Sequence, residues 1–263
     1  LDLKDVVSKV TASWTDEATN ITASDMAMSE GQLIAKKLGA ITSWSLELSE
    51  DEAIPLLPVL QTQFGESFAE KEDKAAFLGD GTATYGSFTG LTQLANAQDV
   101  TFSTGQTDAT SLDEAYLRTA RDQLTLARQM GGKWFMHPST KSHIAQLENS
   151  AGYRIFQEMI NGSEPDQLLG HPIVETQVLP SYTSVGAGEA FIVFGNPMRA
   201  LMGRRRGMTA DISREAVIED GSGNIVYNSF QADGAILRLT ERLGFKVPSA
   251  FEDAFSVIKT AAS

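Results

Sequence analysis

Cysteine is absent from all 263 residues, so disulfides, cysteine-ligated zinc, iron–sulfur clusters and thiol nucleophiles are excluded within this sequence. Histidine is nearly as scarce. His137, His143 and His171 stand far apart, without the short spacings of a metal site, and read as structural histidines. Long apolar runs are missing too: the longest, such as Phe191–Phe194, fall far short of the roughly 20 residues of a membrane span. No basic and apolar leader is read in the opening residues. The chain opens on Leu1, which leads to the expectation of a cleaved or trimmed segment upstream. Basic residues are in the minority, 21 against 34 acidic ones, for a formal charge of -13. Such a surface repels nucleic acid unless its bases cluster, so sequence-reading DNA binding is not expected.

What is present supports a full hydrophobic core, since 42% of residues are hydrophobic and the length suits one large domain or two smaller ones. The clearest element runs from Ser49 to Gly81. Ser49 and Glu52 form a capping box, and Leu57, Leu60, Phe64, Phe68 and Ala75 follow at helical spacing on one face, which should be buried. Gln61, Gln63, Glu66, Glu70 and Asp73 occupy the other side, and Gly79-Asp80-Gly81 ends the helix. Pro55 and Pro58 require that the regular helix begin at one of them or kink there. Gly65 costs roughly 1 kcal/mol relative to Ala, so tertiary packing must hold the helix.

Before the helix the pattern is that of strands. Leu38, Ala40, Thr42, Trp44, Leu46 and Leu48 share one parity. Val6–Thr15 is rich in β-branched residues and reads as the partner strand, with Asp16–Asp25 as a broad turn. At about 3.3 Å per residue, an arm of about fifteen residues spans on the order of 50 Å, against a radius of gyration of roughly 18 Å for a compact chain of this length. Two strands alone are marginal in water, so such an arm needs another subunit to lie on.

Beyond the long helix, Ser111 and Glu114 form a second capping box, opening a helix through Leu117, Ala120, Leu124 and Ala127 to Gly131-Gly132. Lys133–His137 reads as a short buried strand, and Ser139 or Thr140 as the cap of a helix to about Leu147. Ile173–Val178, Ala190–Phe194 and Arg199–Met202 are strand candidates, as are Ala216–Ile218 and Ile225–Tyr227 around the turn EDGSGN and the run through Ala235, Leu237 and Leu239.

A search for chemistry returns little. Gly79-Asp80-Gly81 follows a helix where a dinucleotide fingerprint needs a strand. Gly131-Gly132-Lys133 has Ala127 where a phosphate-binding loop needs glycine, and no Gly-x-Ser-x-Gly elbow occurs. Neighbouring carboxylates such as Asp16/Glu17 and Asp113/Glu114 read as solvated charges or helix-start residues. No catalytic, cofactor-binding or metal site is assigned. One charged cluster remains: Arg204, Arg205 and Arg206, with Arg199 just before. It reads either as a solvated turn or as a contact for an acidic partner. The same sequence offers one, because between Lys9 and Lys36 it carries Asp16, Glu17, Asp25 and Glu30 and no basic residue.

The segments FLGDGTATYGSFTGL at Phe77–Leu91, LLGHPIVETQVLP at Leu168–Pro180, FIVFGNPMRALMGRRRGM at Phe191–Met208 and the closing run Arg238–Ile258 together resemble the major capsid proteins of tailed bacteriophages. The likeness covers nearly the whole chain. It implies an α+β subunit of the Hong Kong 97-type capsid fold: an extended loop over 1–46, a peripheral domain over 47–131 with a long spine helix, an axial domain over 132–203, and returning peripheral strands over 204–263. It further implies a non-enzymatic shell protein of the virion, assembled in the host cytoplasm from hexamers and pentamers of itself. Scaffold, portal and decoration proteins are the implied partners, with non-specific contact to packaged DNA, no membrane and no cofactor. In two respects the sequence departs from the family: the arm that usually precedes the extended loop is almost absent, and no lysine between Lys9 and Lys36 can make the Lys–Asn isopeptide bond of some members. The resemblance places the extended loop, with Asp16, Glu17, Asp25 and Glu30, over a neighbour's peripheral domain, near Arg204–Arg206. An encapsulin-like compartment shares the fold and is the alternative. A soluble hydrolase is the reading from outside the shell class.

Overall fold

The computed structural model describes residues 2–6, 28–47, 56–147 and 167–262. Strands β1 (Asp2–Val6) and β2 (Met28–Gln32) pair antiparallel with each other and with no other strand among the described residues. Strand β3 (Lys36–Ser45) follows, then the long helix α1 (Leu56–Leu78). The expected partner of the Leu38–Leu48 parity run was Val6–Thr15. The observed partner of β3 is instead a strand from the far end of the chain, Gly234–Lys246; Val7–Thr15 and the expected turn lie outside the described residues. The parity was legible, but a strand's partner depends on tertiary contacts that its own alternation does not encode.

Helix α1 starts after Pro55, with Pro58 in the first turn where a missing N–H leaves no intrahelical bond unmade. The Ser49–Glu52 box lies outside the described residues. Phe64, Phe68 and Ala75 are buried as expected, and Gln61, Gln63, Glu66, Glu70 and Asp73 lie on the more exposed side. Leu57 is exposed and Leu60 only half-buried, a correction to the expected face, because the core cluster under the helix begins at Leu60. At the other end, Gly79 and Gly90 pack backbone against backbone: a Cβ at Gly79 would lie 2.5 Å from the Phe88 carbonyl oxygen, and one at Gly90 2.5 Å from the Gly79 nitrogen. Gly79 is therefore needed for close approach, while Gly81 supplies the left-handed angle, φ +82°.

Past β4 (Gln98–Thr101), helix α2 (Glu114–Asp122) is capped by Asp113, whose carboxylate accepts from the Ala115 N–H; Ser111 closes a preceding 3-10 turn instead. The expected single helix to Gly131 is two, with α3 (Leu126–Gln129) set off by a break after Asp122. Strand β5 (Lys133–Met136) leads into α4 (Pro138–Ile144), capped by His137 Nδ1 accepting from the Ser139 N–H. Neither Ser139 nor Thr140 is the cap.

Strands β6 (Gln167–Leu168), β7 (His171–Glu175) and β8 (Ala190–Gly195) precede β9 (Leu201–Ser213), the β10 (Val217–Glu219) and β11 (Ile225–Asn228) hairpin, β12 (Gly234–Lys246) and β13 (Phe255–Lys259). A six-stranded sheet has the order β4-β13-β8-β5-β7-β6. Its middle strand β8 is buried on both faces, which is why AFIVFG is apolar throughout. Trp134, Phe191, Phe194 and Leu117 of α2 pack in one core cluster, and Val193, Phe255, Val257 and Ala75 of α1 in a second. A three-stranded sheet, β3-β12-β9, is antiparallel throughout. Helix α1 lies on one of its faces, where Phe64 and Phe68 meet Leu237, Leu239, Leu38 and Ala40.

Candidate intersubunit surface

The arginine cluster sits inside β9, so the solvated-turn reading is corrected. Two register shifts against β12 shape it: Thr240 faces Thr209, Arg242 faces Arg206, and Leu243 faces Arg204, which leaves Arg205 as the extra residue of a bulge. Without the bulge Arg204 and Arg206 would share a face. With it they oppose consecutive residues of β12 and are aimed to opposite sides of the sheet.

Arg204 turns toward α1. Its Nη2 donates to both oxygens of Glu72, at 2.9 and 3.1 Å. Next to this pair on the same face, Glu241 is 1% exposed, and its Oε1 has no hydrogen-bond partner. Burial first, then the adjacent Glu72 carboxylate, push the Glu241 carboxyl up to about 7, with Arg204 acting in the opposite sense.

On the other face, Arg206 stands across from Arg242, and Arg242 across from Lys37. All three are exposed, and none is ion-paired with the described residues. Farther along the same face the ladder shows the usual solution, Arg238 opposite Asp211 with Nη2 to Oδ2 at 2.9 Å. Residues 33–34 cross this face at a pair of opposed glycines: a Cβ at Gly244 would lie 2.8 Å from the Ile34 carbonyl oxygen, and one at Gly203 2.6 Å from Leu33 Cδ2.

Of the residues singled out in sequence, Arg204, Arg205 and Arg206 are adjacent but divided between two faces. Arg199 is apart from them, in a 3-10 turn, with its guanidinium 4.7 Å from the centroid of the Phe251 ring. Glu30 faces Lys4 in the β1–β2 ladder. Asp16, Glu17 and Asp25 lie outside the described residues. The sequence reading passed over Lys37, Arg242, Glu72 and Glu241. For Lys37, Arg242 and Glu241 the only trace was parity within their strands, and the register that joins Lys37 to Arg242 spans some two hundred residues; Glu72 lies on α1 and meets the sheet only through tertiary packing.

The histidines have packing roles: His143 stacks on Tyr182 at 4.1 Å, and His171 meets the Phe194 ring edge-on at 4.9 Å. Among the described residues no group of three or more potential metal ligands comes together. No helix there is long and apolar enough to cross a membrane.

The sequence pattern of the phage capsid family matches residues 1–259. The chain belongs to that family. Its similarity to the major capsid protein of Klebsiella oxytoca phage phiKO2 is 25% identity over 256 residues, or 94% of this chain and 58% of that relative. The chain thus spans less than two thirds of the relative's length. Among solved structures, the capsid of an empty GTA particle is similar with a TM-score of 0.75 at 17% identity, covering 100% of this chain and 84% of the other. A chain from Mycobacterium phage Adephagia gives 0.74 at 19%, with 100% and 85% covered. These establish the α+β capsid fold that the motifs implied, with α1 as its long spine helix.

Proposed function

We propose that this chain is the structural subunit of a closed icosahedral phage head, assembling with copies of itself as hexamers and pentamers around packaged double-stranded DNA, and that it is not an enzyme. The observation that carries this reading is the β1–β2 ladder. It pairs with no other strand among the described residues and meets its own subunit at the turn Ser249–Ala254; a two-stranded ribbon is marginal in water, so a neighbouring subunit is its natural further support. An acidic chain suits a container wall, which should not adhere to the polyanion inside it. Scaffold, portal and decoration proteins complete the proposed set of partners, and contact with DNA is non-specific.

In this reading the extended loop is the arm through residue 32, and β3 belongs with the peripheral sheet and spine helix. The axial part centres on the six-stranded sheet, drawing β4 and β13 from outside 132–203. Deleting Thr11–Gln32 tests the arm. The expected product is a folded subunit, with unchanged circular dichroism outside the lost strand, that no longer assembles. Shells of normal yield and stability from the deleted protein would refute the role given to the arm.

A further inference from the structure

We propose that two exposed apolar surfaces at opposite ends of the subunit bind each other, head to tail, between neighbouring copies of this chain: a patch of Leu126, Met130 and Met198, and the β10–β11 hairpin. The inference rests on the shell reading above and adds to it a pair of contact surfaces.

Asn196 assembles the patch. Its Nδ2 donates to the Met130 carbonyl at 2.7 Å and its Oδ1 accepts from the Met198 N–H at 2.9 Å, which places the two methionines on either side of one amide. Leu126 stands one helical turn before Met130 and lines the same cleft. Leu126, Met130 and Met198 are 78%, 69% and 84% exposed. Methionine is flexible and polarisable, and it is enriched where surfaces meet partners. The margin is cationic: Lys133 lines the cleft, no carboxylate does, and Arg199 follows Met198. Neither cation is ion-paired among the described residues; Arg199 lies over the Phe251 ring.

The hairpin has the complementary character. Among the described residues its strands pair only with each other, and two strands alone are marginal in water. Tyr227 Oη, donating to the Trp44 carbonyl at 3.3 Å, ties it to the end of β3. Ile225, Val226 and Phe230 are 63%, 66% and 81% exposed. From Glu215 to Asp233 the sequence carries Glu215, Glu219, Asp220 and Asp233 and no basic residue. A surface that fits the hairpin therefore offers apolar side chains with a cationic margin, and the methionine patch has both.

Within one subunit the two surfaces are held apart. Strand β9 begins just after the turn that carries Met198 and ends just before the hairpin. At about 3.3 Å per residue, its length puts them on the order of 40 Å from each other. A contact between different patches on two copies is heterologous, and such contacts close into rings when the rotation between copies permits. The hexamers and pentamers of the proposed shell are rings of this kind, in which a neighbour's hairpin is present at high effective concentration.

The test places photo-reactive benzoylphenylalanine at position 230 of the full-length protein and irradiates shells mixed from isotope-labelled and unlabelled chains. Adducts should join position 230 to peptides spanning 126–133 or 196–199 of a differently labelled chain. Adducts confined to one label, to the hairpin of another copy or to a different protein overturn the proposal. Shell yield by sedimentation gives a second reading, with thermal melts of each subunit as a folding control. Reversal of the margin (Lys133→Glu, Arg199→Glu) and reversal of the hairpin (Glu215→Lys, Glu219→Lys) should each lower the yield several-fold, and the combination should recover much of it. A combination no better than the margin reversal alone overturns the proposal. Lys133→Glu by itself, which leaves Arg199 on Phe251, repeats the comparison if the double change melts early. A wild type that forms no shells refutes the shell reading, and the absence of adducts between copies in its concentrated solution refutes the contact as well.

Discussion

Glu241 lies buried beside the Glu72 carboxylate that binds Arg204, so two acids and one base share the seam between α1 and the three-stranded sheet. Because Glu241 is pushed from the ordinary 4.5 to about 7, the folded chain holds its proton more tightly than the unfolded chain does. The stabilisation is complete below pH 4.5, shrinks as pH rises, and is gone above about 7, amounting to about 3 kcal/mol over that window. Glu241→Gln should remove this slope and melt at a higher temperature than the wild type at pH 8. Thermal melts from pH 5 to 8 at constant ionic strength decide it. Parallel wild-type and variant curves would contradict the assignment.

Gly65 sits mid-helix in α1, and a Cβ added there would have no neighbouring atom within 4 Å. Gly65→Ala should therefore stabilise the subunit by about 1 kcal/mol. Gly79→Ala should do the reverse by more than that, since its Cβ would press on the Phe88 carbonyl. Denaturant unfolding of the two variants provides the comparison.

The opposed glycines under the arm should also differ. At Gly203 an added Cβ meets only the tip of the Leu33 side chain, which can turn away, whereas at Gly244 it meets the Ile34 backbone. Gly244→Ala should speed hydrogen exchange over residues 33–38 and lower shell yield. Gly203→Ala should leave both near wild type.

The shell should be held without covalent bonds. The sequence has no cysteine, and no lysine lies between Lys9 and Lys36. Boiling particles in detergent should release a single band at the subunit mass. A ladder of multimers would point to Lys9, Lys36 or Lys37 as crosslinking residues.

Legibility followed the range of the interaction that sets each feature. Phe64, Phe68 and Ala75 on the inner face of α1, and the apolar run of β8, were readable because burial imposes a local period or its absence. The cap at Asp113 was displaced from the expected Ser111 by two residues, since both carry an oxygen suited to the role. Strand β13 was not read as a strand, a short apolar run that periodicity alone does not separate from buried helix. The partner of β3 and the face of each arginine were beyond local reading. A single bulge residue, Arg205, sends Arg204 to the helix and Arg206 to the open face.

Electron microscopy of the purified full-length protein tests the central claim most directly. Closed icosahedral shells filled with DNA are the expected result in particles from infected cells. Shells filled with protein instead would favour an enzyme-enclosing compartment, and a monodisperse subunit that forms no shell under any assembly condition would contradict the capsid function.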